Sequence, residues 1–96
     1  MLFGERIKEL RESQGLLQRQ LAASLEIDTP MFSKIERGER KAKREQVKLL
    51  ANLLNADTSQ LLSLWLADQV IDLIKKEPQA NEALEIVQKE IKKYEH

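Results

Sequence analysis

The chain has 96 residues, 16 of them Lys or Arg and 16 Asp or Glu, with 42% hydrophobic residues and no cysteine. That length supports one small domain, or a domain with an appendage, whose single core only narrowly outweighs chain entropy, and no disulfide or cysteine metal site is available to help it. The longest apolar run, Leu64 to Ala67, is far below the ~20 residues of a membrane helix, and the N-terminus is charged by its fifth residue, so the expectation is an unexported, cytoplasmic chain without a membrane span.

The three glycines and two prolines stand where helices should start or stop. Phe3, Ile7 and Leu10 recur at helical period before Gly15, which predicts a first helix. Leu21, Ala22 and Leu25 mark a short second helix. Asp28-Thr29-Pro30 then supplies an N-cap and a proline suited to a first turn, opening a third helix that turns Phe32 and Ile35 inward and stops at Gly38. Glu39 to Arg44 is read as a basic loop. A fourth helix, Arg44 to Leu54, puts Val47, Leu50, Ala51 and Leu54 on one face, with Asn55 as its left-handed terminator. Asp57 and Gln60 resemble a capping box.

The segment from Thr58 to Lys76 changes character along its length. Its apolar residues Leu61, Leu62, Leu64, Trp65 and Leu66 predict a start buried all round. Farther on, Ala67, Val70, Ile71, Leu73 and Ile74 form a broad face opposite Asp68, Gln69, Asp72, Lys75 and Lys76. Glu77-Pro78 breaks the chain before a last helix, in which Ala80, Leu84, Val87, Ile91 and Tyr94 form a heptad-like seam. Two heptads are too few for an autonomous coiled coil, so that face must dock on the preceding helix or on another subunit. The fold class expected is all-α with six helices: residues 1–66 as one domain, and residues 67–96 as a dimerising extension continuing from helix five. Trp65 is expected to be a core anchor. His96, the only histidine, offers no basis for a metal site.

Helices two and three make a compact pair if Ala22 lets them approach and Ile27 and Ile35 fill beneath them, which is a helix-turn-helix. The blocks GLLQRQLA, from Gly15 to Ala22, and FSKIERG, from Phe32 to Gly38, resemble the Xre/Cro-like, lambda-repressor-like helix-turn-helix family. The likeness runs from the LRES block after Ile7 to Leu61-Leu62, about two thirds of the chain. It implies a five-helix DNA-binding domain, here with a C-terminal helical extension. It also implies that helix three is the recognition helix, with Thr29, Pro30, Ser33 and Lys34 facing base edges and Lys34 suited to guanine O6 and N7. By the same likeness Gln18 contacts phosphate at the start of helix two, while Arg37, Arg40, Lys41, Lys43 and Arg44 line the backbone beside the groove. Arg11 and Glu36 would tie helix one to helix three. The chain departs from the family pattern at Leu17, which replaces a capping residue, at Glu26, which stands where the turn usually has glycine, and at Ala42, which replaces a frequent proline.

Three functions compete on this reading. The first is a homodimeric regulator of transcription on a palindromic double-stranded DNA operator, assembled through Val70, Ile71, Leu73, Ile74, Leu84, Val87 and Ile91. The second is an antitoxin or other interaction module that holds a partner protein on the same C-terminal surface. The third, an enzyme, finds no catalytic constellation, phosphate loop or spaced metal ligands, and no cofactor is implied. Zero net charge argues against nucleic acid only until its distribution is read. Residues 1–57 carry 11 basic and 9 acidic side chains against 5 and 7 in residues 58–96, and Lys34 to Lys48 alone carry 7 against 3.

Overall fold

In the computed structural model, which describes residues 1–95, the chain forms α1 (Leu2–Ser13), α2 (Gln18–Ser24), α3 (Thr29–Glu36), α4 (Arg44–Leu53), α5 (Thr58–Ile74) and α6 (Ala80–Ile91), with a 3-10 turn at Lys92–Tyr94. There is no strand among the described residues, and the six helices agree with the expected class. No helix among them is long and apolar enough to cross a membrane. His96 lies outside the described residues.

Four of the helices end by the same device. The chain turns left-handed at Gly15, Glu26, Gly38 and Asn55, and the next residue's N–H returns to a carbonyl in the last turn: Leu16 to Arg11 at 3.0 Å, Ile27 to Ala22 at 3.0 Å, Glu39 to Lys34 at 2.9 Å and Ala56 to Ala51 at 2.8 Å. These bonds satisfy carbonyls that a helix end would otherwise leave open. Glu26, at φ 58°, adopts the conformation its position in the turn demands, at a steric cost of ~1 kcal/mol for a residue with a Cβ. The starts differ more. Asp28 accepts from the Met31 amide at 2.8 Å and opens α3. Asp57 accepts from the amides of Ser59 and Gln60, but the Gln60 side chain does not reciprocate, so only half of the expected box forms. At α2 the arrangement is reversed: Leu17 has no acceptor side chain, and the Gln20 carboxamide oxygen accepts from the Leu17 amide at 2.7 Å.

The core joins α1 to α5. Phe3 and Ile7 meet Leu21, Ala22 and Leu25 of α2, Phe32 and Ile35 of α3, Val47, Leu50, Ala51 of α4 with the following Leu54, and Leu61 and Trp65 of α5. Ile35 is buried as expected, while Ile27 packs half-buried at the edge. The first helix comes so close to the end of α3 that a Cβ on Gly4 would lie 2.8 Å from the Ile35 carbonyl oxygen and closer still to that of Glu36. Gly4 therefore sets the approach of α1 to the end of α3, a role that helical periodicity did not disclose.

Helix α5 corrects two expectations. Its start is not buried all round: Leu61 and Trp65 face the core, Leu62 and Leu64 are half-buried, and Leu66 is 54% exposed. Its core-facing line continues through Asp68, which is buried although sequence placed it on the solvent side. The Asp68 carboxylate accepts from the Leu2 and Phe3 amides, each at 2.9 Å, and so caps α1, whose own N-cap residue, Met1, offers no acceptor side chain. The apolar residues Val70, Ile71 and Leu73 point elsewhere and stay exposed, Leu73 at 78%. Helix α6 covers little of this face. None of its residues is buried; Ala80, Ala83 and Leu84 are half-buried, Val87 and Ile91 are about half exposed, and Tyr94 is exposed in the terminal 3-10 turn, so its expected place at the end of a packed seam is not filled within the chain.

Candidate nucleic-acid interface

The short α2, the turn through Glu26 and the capped α3 place the outer face of α3 at the protein surface. Thr29 and Pro30 are exposed in its first turn, Ser33 is half-buried one turn on, and Lys34 is exposed beside it. No hydrogen bond or ion pair holds the Lys34 ammonium among the described residues, and its charge reaches Glu39 at the end of the helix.

Behind this face sits a buried polar network. Arg11 donates from Nε to Glu36 Oε2 at 2.7 Å and from Nη2 to Oε1 at 3.2 Å, while Nη1 reaches the Leu16 carbonyl at 3.0 Å. The hydrogen bond to Glu36 raises the Arg11 guanidinium above its ordinary value against the desolvation that lowers it, with the charges of Glu36 and Glu12 adding to the rise. The pair links α1 to α3, the structural role that the resemblance implied. Gln18 joins the same carboxylate, its carboxamide nitrogen 2.9 Å from Glu36 Oε1. The Gln18 side chain is thereby held at the start of α2, and Gln18, Ser33 and Arg37 line one open groove with Glu36.

Arg37 ends α3 and is also engaged. It donates to Ser33 Oγ at 2.6 Å and pairs with Glu39 at 2.5 Å. The hydrogen bond from Arg37 pulls the Glu39 carboxyl below its usual 4.5, the charges of Arg37 and Lys34 acting the same way against desolvation. The basic loop follows. Arg40, Lys41, Lys43 and Arg44 are all exposed, whereas Ala42 between them is buried. The Trp65 indole donates to the Ala42 carbonyl at 2.8 Å, with the Arg44 guanidinium 5.1 Å and the Lys41 ammonium 6.0 Å from its ring centroid. Trp65 is the core anchor expected, and it also fastens this loop. The tie to the loop could not be read from sequence; for Asp68, the spacing Leu61, Trp65, Asp68 was the available signal.

A helix-turn-helix with a capped, exposed second helix and a basic loop at its end defines a class of protein. Residues 2–64 match the family described as "Helix-turn-helix domain". The chain belongs to that helix-turn-helix family and is of the Xre-like kind that its motifs resemble. Among its relatives is the "SPbeta prophage-derived uncharacterized HTH-type transcriptional regulator YonR" of Bacillus subtilis (strain 168), 32% identical over 78 residues that span 81% of this chain and 72% of that protein. No solved structure matches the chain.

Proposed function

We propose that this protein is a cytoplasmic, DNA-binding transcriptional regulator that acts as a homodimer on a palindromic operator. The observation that carries the reading is the exposed face of α3 within a helix-turn-helix, with four solvent-facing cations in the loop and α4 start immediately after it. In this account residues 1–66 form the DNA-binding part. Thr29, Pro30, Ser33 and Lys34 meet base edges in the major groove. Gln18, Arg37, Arg40, Lys41, Lys43 and Arg44 meet phosphates. Arg37 exchanges Glu39 for a phosphate oxygen when it does so.

Residues 67–96 supply the second half of the account. Val70, Ile71, Leu73, Val87 and Ile91 are exposed apolar side chains, and Ile74 and Leu84 line an apolar groove between α5 and α6. A second copy would bury this surface and set two recognition helices about one turn of DNA apart, ~34 Å. The same open groove favours a second reading, in which the C-terminal helices hold a partner protein as an antitoxin holds a toxin. Titrating a duplex with the chain and measuring the complex by sedimentation separates them. The homodimer reading expects two chains per duplex and a dimer at micromolar concentration without DNA; a monomer that binds DNA singly contradicts it. Arg40→Ala and Lys43→Ala should weaken binding to every sequence alike and flatten the salt dependence by ~0.9 for each phosphate that is no longer neutralised.

A further inference from the structure

We propose that Trp65 is a positioning residue for DNA binding, holding the loop cations Lys41 and Arg44 where phosphates are met; the proposal rests on the DNA-binding reading above. The ends of the loop are fixed by its neighbours. The Glu39 amide returns to the Lys34 carbonyl at 2.9 Å, and the Lys43 amide donates to the Gln46 side chain at 2.8 Å. Between those points, among the described residues, the backbone of Arg40 to Ala42 has one hydrogen bond, and the Trp65 indole supplies it.

A phenyl ring would fill most of the same core volume. It could not donate to the Ala42 carbonyl, and that carbonyl, buried with its residue, would be left without a partner. The indole also meets the loop's charge. Arg44 is the first residue of α4, at the positive end of the helix dipole, where a cation is disfavoured and an anion is favoured. The face of an indole attracts a cation, and at 5.1 Å from its centroid the guanidinium is within the range of that attraction. Lys41 sits at the limit of the range on the same ring, and its ammonium lies 3.4 Å from Gln69 Oε1, one turn farther along α5. Both cations remain exposed, so the ring restrains them without withdrawing them from a ligand. One turn of α5, Trp65 to Gln69, therefore fixes a loop backbone and two charges together.

The test uses the full chain, Trp65→Phe, Lys41→Gln/Arg44→Gln and the combination, each titrated with double-stranded DNA over a salt series, with amide hydrogen exchange of residues 40–44 in the free protein. Trp65→Phe removes no charge. It should nevertheless weaken binding to all duplexes about fivefold, the equivalent of one hydrogen bond removed, and reduce the salt slope. In the Lys41→Gln/Arg44→Gln background its effect on affinity should disappear, and in the free chain with Trp65→Phe the Lys43 amide, in the same peptide unit as the Ala42 carbonyl and bonded to Gln46, should exchange faster. A lower thermal midpoint with unchanged salt slope, or losses that multiply in the combined variant, would make Trp65 a core residue only and overturn the proposal. A Lys43 amide that exchanges in Trp65→Phe as in the wild type overturns the clamp. A wild-type chain with no affinity for duplex at low salt, even with the clamp intact, overturns the DNA-binding reading instead, and the proposed role with it. Should Trp65→Phe fail to fold, the single tryptophan reports directly: duplex must change its emission in the wild type and much less in Lys41→Gln/Arg44→Gln, and an emission indifferent to duplex refutes the proposal.

Discussion

At the scale of single residues, the protein's economy rests on a few positions whose chemistry and geometry conflict or interlock. Glu26 is strained at φ 58° and exposed, so Glu26→Gly should raise stability by ~0.5–1 kcal/mol in urea unfolding; no gain would mean that its side chain does something in the turn that outweighs the strain. Glu36 is the opposite case, a nearly inaccessible carboxylate with two partners. Glu36→Gln leaves the Arg11 charge buried without its counterion and should cost about 3 kcal/mol in the same measurement. The Arg37–Glu39 pair is exposed and adds little to stability. It does carry a readable pH signature. Because the folded carboxyl of Glu39 is depressed, the pair is complete above the ordinary value of 4.5 and is lost as pH falls through the lower, folded value. A carboxyl titration by NMR should show that depressed midpoint in the wild type and a return toward 4.5 in Arg37→Gln.

At the scale of elements, helix ends were more legible in the sequence than helix faces. Gly15, Gly38 and Asn55 were readable as terminators because few residues tolerate a left-handed backbone, and Glu26 was readable as a departure for the same reason. The Xre-like motifs placed α2 and α3, and Arg11 with Glu36 between α1 and α3. Faces depend on what lies opposite, which a single chain does not state. Asp68 looked solvated because it is charged, yet it faces the uncapped start of α1; Leu66 looked buried because it is apolar, yet the core-facing line of α5 passes through Leu61, Trp65 and Asp68 instead. Of the residues proposed to meet DNA, all are exposed except Gln18 and Ser33, which are half-buried, and sequence could not show that Gln18 and Arg37 already have protein partners. Helix α6 has no buried residue, and a twelve-residue helix packed only through a few half-buried side chains is marginal in water. Its helicity by circular dichroism should therefore rise with protein concentration. Val87→Lys should abolish that rise and leave the signal of the N-terminal helices intact; a concentration-independent α6 would contradict assembly through this face.

At the scale of the whole molecule, the neutral total conceals an uneven distribution of charge. The basic excess lies at Lys34 to Lys48, and the acidic excess lies in the C-terminal third with the uncovered apolar surface. Helix α5 spans both parts, with Trp65 under the loop, Asp68 on α1, and Val70, Ile71 and Ile74 on the far side, along the open apolar groove beside α6. A dimer formed along α5 and α6 would thus fix the spacing of two α3 helices through the same element that fastens the basic loop. The most direct test is to select bound sequences from random duplex DNA with the wild-type chain and with Lys34→Ala. The account predicts a palindromic consensus with half-sites about one helical turn apart, in which specific positions relax when Lys34 is removed. No enrichment, or a consensus identical in the variant, would contradict base reading by α3.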